Sequence, residues 1–126
     1  MIVMAPISVG ELIDKITILQ IKQQEIKNLE KKNNITVELT ELQQICNSLQ
    51  LPDISELQDK LYDVNRMLWM IEDFKRSCEK KQKFDVEFVE AARSVYIKND
   101  QRAAIKREIN TVCGSVIVEE KSYGNI

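Results

Sequence analysis

Between Arg93 and Arg107 the chain sets five basic side chains, Arg93, Lys98, Arg102, Lys106 and Arg107, against a single acid, Asp100. Lys98, Arg102 and Lys106 recur at i, i+4 and i+8, so on a helix they share a strip suited to an anion. Arg102, Lys106 and Arg93 would hold a phosphate or carboxylate, and Asn99 would orient it. The same strip reads equally as a solvated face in which Arg102 clamps a carboxylate on a neighbouring helix. Asn99-Asp100 also reads as a helix restart, both residues being good caps.

Two acidic sets could complete a site. Glu11 and Asp14 stand one turn apart with Lys15 beside them, and Glu72-Asp73 lie among Trp69, Ile71 and Phe74. Carboxylates on facing helices hold Mg²⁺, which takes oxygen ligands and needs no imidazole. The spacings at Glu11/Asp14 and Glu87/Glu90 resemble those of helical nucleotide pyrophosphohydrolases, although the motifs stand in a different order. Against that reading, Glu11 and Lys15 form an ordinary i, i+4 pair at a helix N-terminus.

Composition removes other chemistries. With no His, there is no imidazole base, triad member or metal ligand. Eighteen basic residues against 20 acidic ones give a net charge of −2, which is no nucleic-acid signature. Cys46, Cys78 and Cys113 have no C-x-x-C spacing, so neither a disulfide framework nor a zinc site is indicated. Cys46 and Cys78 fall on apolar stripes and are expected buried, leaving Cys113 exposed. Ile2–Val9 lacks the basic flank of a signal peptide, and no other apolar run reaches the roughly 18 residues of a membrane span. A cytoplasmic protein without a membrane partner is expected.

The elements that must position these residues are helical. Three Gly and two Pro in 126 residues argue against a turn-rich β fold. Ser8 and Glu11 form a capping box, flanked by an Ile7/Leu12 staple, so a first helix begins at Val9. Its apolar residues spread around much of the surface, which predicts more than one packing partner. The polar run Lys31-Lys32-Asn33-Asn34 is the expected connection to a second helix carrying Ile35, Leu39, Leu42, Cys46 and Leu49. Leu51-Pro52-Asp53 breaks the chain, with Asp53 capping a third helix on Leu57, Leu61, Val64, Leu68, Ile71, Phe74 and Cys78. Asp85 caps a fourth, with Phe84 stapled to Val89 and Gly114 closing it, continuous or restarted at Asn99-Asp100. Along its stripe Phe88, Ala92, Val95, the row meets Asn99 and Arg102 before Ile105 and Ile109. The whole chain, 1–126, is expected to be one antiparallel bundle of four to five helices. Residues 1–7 would be an extended segment, and 115–126 a tail whose Ser115–Val118 could pair with Ile2–Met4 as a two-stranded ribbon.

Three stretches resemble one small bacterial family catalogued as a domain of unknown function, the 6165 domain family. They are residues 7–19 (ISVGELIDKITIL), residues 68–73 (LWMIED), and residues 92–110 with the following EEKSY at 119–123. The resemblance imports no activity, but the family's polar positions coincide with Glu11, Asp14, Lys15, Glu72, Asp73, Arg93, Asn99, Asp100, Arg102, Lys106 and Arg107. With the basic strip read above, those positions give an expected ligand-binding set of Arg93, Asn99, Asp100, Arg102, Lys106 and Arg107, and the resemblance implies a link to surface-glycan assembly. The expected function is a non-enzymatic module that binds a protein partner or a small anionic ligand, dimerises, and needs no cofactor. The alternative is a magnesium-dependent hydrolase of a nucleotide or sugar nucleotide, with Glu11, Asp14, Glu72 and Asp73 as metal ligands.

Overall fold

A computed structural model describes residues 1–124 as four helices: α1 (Val9–Glu25), α2 (Leu29–Ser48), α3 (Ser55–Lys81) and α4 (Val86–Cys113). The start of α1 follows from Ser8, whose Oγ accepts from the Glu11 N–H at 3.0 Å. The first connection is earlier than the polar run suggests. Ile26 turns extended, and Asn28 caps α2 by accepting from the Lys31 N–H at 3.0 Å. Lys31 to Asn34 are polar because they face outward from the first turns of α2.

The break at Leu51-Pro52-Asp53 is present, but Asp53 does not cap the helix end directly. Its carboxylate accepts from the Ser55 N–H and hydroxyl at 3.0 and 2.7 Å, and Ile54 occupies the cap position. Asp85 caps α4 through the Phe88 N–H. Phe84, ahead of the cap, meets Phe88 edge-on with ring centroids 5.1 Å apart, and Val89 is exposed. From there α4 runs unbroken through Asn99-Asp100 to Gly114, whose φ of +64° is the left-handed cap that glycine adopts without strain. Among the described residues there is accordingly no fifth helix.

Nor is there a strand among the described residues. Ile2–Met4 and Val116 stand in solvent, so the two-stranded ribbon does not form. A lone two-stranded ribbon is marginal in water, and Ser115 has other work. Its Oγ accepts from the Val9 N–H at 3.2 Å and donates to the Ile117 carbonyl at 2.7 Å.

α3 and α4 pack along each other as the most extensive helix pair, and α1 touches α2, α3 and α4, as its wide apolar arc requires. On one side Leu12, Ile16 and Leu19 meet Ile35 and Leu39 of α2. On the other, Ile13 meets Ile54, Leu61 and Ile109, with Ile105 and Cys113 packed around them. Cys113 is therefore half-buried beside the core, and burial raises its thiol pKa and that of Cys46. The outer half of α3 and the first half of α4 bury only Cys78, and they extend past α1 as a hairpin arm exposing Met70, Phe84, Val86 and Val89.

The closest approach of α1 to α4 is at Gly10. A Cβ there would stand 2.5 Å from the Lys106 carbonyl oxygen and 3.0 Å from Asn110 Oδ1, which also accepts the Gly10 N–H at 2.6 Å. Gly10→Ala must push α4 away and is expected to destabilise the protein by about 1–3 kcal/mol. Urea unfolding followed by Trp69 fluorescence checks this; an unchanged midpoint would mean that the contact is not close.

Candidate functional site

Asp14 lies on α1 with none of its surface exposed. A lone carboxylate so placed would be very costly, so its partners decide whether the helices pack at all. Arg102 of α4 supplies a fork: Nε donates to Oδ1 at 2.9 Å, and a terminal guanidinium nitrogen donates to Oδ2. Asn65 of α3 donates its amide to Oδ1 at 2.9 Å and to Thr17 Oγ1 at 2.9 Å, while Thr17 donates to the Asp14 carbonyl. Three helices are thus tied at one side chain.

A second layer lies toward solvent. Lys106 Nζ is 2.6 Å from Glu11 Oε2, 3.9 Å from Asp14 and 3.2 Å from Glu119. Glu119 also accepts from Ser8 Oγ at 3.5 Å, bringing the segment after α4 onto the start of α1. Arg107 makes a forked pair with Glu120, both bonds 3.2 Å, and Lys121 reaches Asp100 at 3.3 Å. The pairings Gly10/Asn110, Glu11/Lys106 and Asp14/Arg102 descend α4 as they climb α1, so the two helices run antiparallel.

The fields are mutually supporting. The Asp14 hydrogen bond raises the Arg102 pKa over the opposing effect of burial. Burial works against the Lys106 ammonium, but the Glu11 bond and the charges of Asp14 and Glu11 outweigh it and raise its pKa. Burial likewise opposes the Glu119 carboxylate, and contacts with Glu11, Lys106 and Ser8 outweigh it, holding its pKa low.

Above this network is a cleft of about 730 Å³ lined by Asn99, Asp100, Arg102, Lys106 and Arg107, with Tyr96 and Tyr123 as aromatic walls. Five of the six anion-binding residues expected from sequence are gathered here. Arg93 is exposed and outside the lining, and Lys98 turns to Gln101 at 3.4 Å. Successive i+4 steps drift by about 40° on a helix of 3.6 residues per turn, so one strip cannot keep Lys98 and Lys106 on the same wall.

The four acids named as metal ligands are not assembled into one centre. Among the described residues no group of three or more Asp, Glu or Cys takes a cation-holding arrangement. Both oxygens of Asp14 face Arg102, while Glu72 and Asp73 line a separate cleft of about 390 Å³ with Trp69, Arg76 and the far side of Arg102. Glu87 and Glu90 lie about five turns along α4 from Lys106, roughly 25 Å or more at 1.5 Å per residue.

Sequence reasoning missed Asn65, Asn110 and the acids Glu119 and Glu120. Asn65 left a usable sign, a polar residue directly after Val64 on the apolar stripe of α3. Glu119 and Glu120 stand in the EEKSY stretch that carries part of the family resemblance, but nothing local places a coil segment against α4.

The chain matches the family of unknown function DUF6165 over residues 3–126, and it belongs to that family. No match is found among curated proteins or among solved structures.

Arg102→Met leaves Asp14 buried without its fork, faced only by the Asn65 amide and by the Lys106 ammonium at 3.9 Å, and a loss of up to about 3–5 kcal/mol of stability is expected. Arg102→Lys should restore only part of it, because an ammonium cannot make the fork. Denaturant unfolding of both variants measures this; equal stability of wild type and Arg102→Met would remove the pair from the fold's foundations. The shifted groups also set a pH window. Lys106, raised when folded, contributes stability that fades as pH climbs above its ordinary 10.5 toward its folded value. Glu119, lowered when folded, contributes stability that fades as pH falls below its ordinary 4.5. The melting temperature should therefore plateau between these limits; for Lys106→Met the alkaline decline should begin later or be shallower.

Proposed function

We propose that this member of a family of unknown function is a binding module, not a catalyst, and that the cleft along α4 captures an anionic ligand through Lys106 and Arg107, with Asn99 orienting it. One observation carries the reading. Lys106 and Arg107 already hold carboxylates, those of Glu119 and Glu120, whose side chains remain 52% and 74% exposed. Such exposed partners are readily exchanged.

In this reading Arg102 and Asp14 are the floor that sets the cleft's shape, and the adjacent cations are the ligand grip. The cleft's volume lies in the range of ordinary small-molecule sites. Binding is favoured over hydrolysis because every carboxylate lining the cleft is matched by a cation: Glu11 and Glu119 by Lys106, Glu120 by Arg107, Asp100 by Lys121. For Glu119 and Glu120 these partners hold the carboxyl below its ordinary range, which makes each a weak base.

The test is a thermal-unfolding series at low ionic strength with inorganic phosphate, pyrophosphate, phosphorylated sugars and sugar nucleotides, with and without Mg²⁺. A bound anion at 100 times its dissociation constant should add about 2.7 kcal/mol of stability, and Arg107→Gln should weaken it about tenfold with the fold intact. Equal stabilisation of wild type and Arg107→Gln would move the site elsewhere. Release of phosphate dependent on Mg²⁺ would overturn the non-catalytic reading.

A further inference from the structure

The segment after α4 is held in an unusual way. Val116 is fully exposed, Tyr123 is 76% exposed, and Ile117 and Val118 are exposed as well, so apolar burial does little to hold it. Among the described residues, it makes no backbone–backbone hydrogen bond to the rest of the chain beyond Ser115. What fastens it is charge: Glu119 on Lys106, Glu120 on Arg107 and Lys121 on Asp100, with the Ser8 hydroxyl on Glu119. Lys121 also lies over the Tyr123 ring, 5.2 Å from its centroid. Exposed ion pairs of this kind are individually weak and screened by salt.

The same pairs occupy the grip of the cleft. From this we infer that Glu119 and Glu120 act as an internal ligand: the segment lines one side of the cleft and holds its two cations with two carboxylates, and an external ligand bearing two anionic groups binds by displacing those carboxylates. The inference rests on the proposed anion site and adds its regulation and the ligand's class. Two adjacent cations, Lys106 and Arg107, each hold one of two adjacent acids, so the replacement is a bis-anion and not a single charge. Lys106 keeps Glu11 when Glu119 leaves, so the buried network under the cleft survives the exchange. Arg107, 58% exposed, is simply returned to water until the ligand arrives.

Docking of the segment competes with ligand in proportion to its population. A segment docked nine-tenths of the time raises the apparent dissociation constant about tenfold. Glu119→Gln/Glu120→Gln removes both charges with little change of shape, and neither side chain is buried, so the variant is expected to fold.

The experiment is a calorimetric titration of inorganic pyrophosphate, with inorganic phosphate as the single-anion comparison, into wild type, Glu119→Gln/Glu120→Gln and Arg107→Gln. A parallel measurement follows the rate of trypsin cleavage after Lys121. The expected result is pyrophosphate binding about tenfold tighter to the double variant than to wild type, and weaker to Arg107→Gln. Phosphate should bind less tightly than pyrophosphate throughout, and pyrophosphate should hasten cleavage after Lys121 in wild type. Equal affinity of wild type and double variant, with loss in Arg107→Gln, would overturn the internal ligand while leaving the anion site standing. Pyrophosphate binding with slowed cleavage after Lys121 would also overturn displacement, since the segment would then close over the ligand. No binding to any of the three proteins would remove the site and the internal ligand together.

Discussion

The packing of this protein depends on a carboxylate that cannot be left alone. Asp14 sits with no exposed surface on the helix that touches all the others, and its carboxylate is met by the Arg102 fork of α4 and the Asn65 amide of α3, with the Lys106 ammonium farther off at 3.9 Å. An apolar residue there would accept several helix arrangements of similar energy. A carboxylate accepts the one that delivers a fork and an amide, because removing either charged partner leaves the other stranded in a poorly solvated site. The arrangement is more specific than it is strong.

That requirement propagates outward. Fixing Arg102 against Asp14 sets the register of α4 on α1, which in turn places Lys106 beside Glu11 and Asn110 beside Gly10, where no side chain fits between the helices. Lys106 is then held at the border between the buried pair and solvent, with one carboxylate from the core side and one from the segment beyond α4. A cation so placed is pre-organised for an anion without belonging wholly to the core. The charge gradient from Asp14 through Lys106 to Arg107 is also a gradient of exchangeability: buried partners stay, exposed ones can leave.

The apolar distribution is consistent with this division. α1, α2 and the inner halves of α3 and α4 make the two clusters that stabilise the protein, while the outer arm of α3 and α4 buries Cys78 alone. The floor of the cleft therefore lies against the best-packed part of the molecule. Its lid, the segment carrying Glu119 and Glu120, belongs to the least-packed part.

Local rules in the sequence determined much of the helical plan. Ser8, Asp85 and Gly114 satisfy or end backbone groups within a turn of themselves, so the start of α1 and both ends of α4 could be read directly. Where two local signals competed, the polar run did not decide: Asn28, not Lys31–Asn34, begins α2. The polar interruption at Asn99 and Arg102 was visible as an exception to the apolar row, and it marks the face that α4 turns toward α1 and the cleft. What it faced was not visible. Asp14 is 88 residues away in sequence, Asn65 is 51 residues from Asp14, and Glu119 is 111 residues from Ser8. Periodicity specifies which side of a helix is used, but it carries no information on which distant side chain will meet it. Only the packing of α1 against α3 and α4 decided that Glu11 and Asp14 should answer Arg102 and Lys106 instead of joining Glu72 and Asp73.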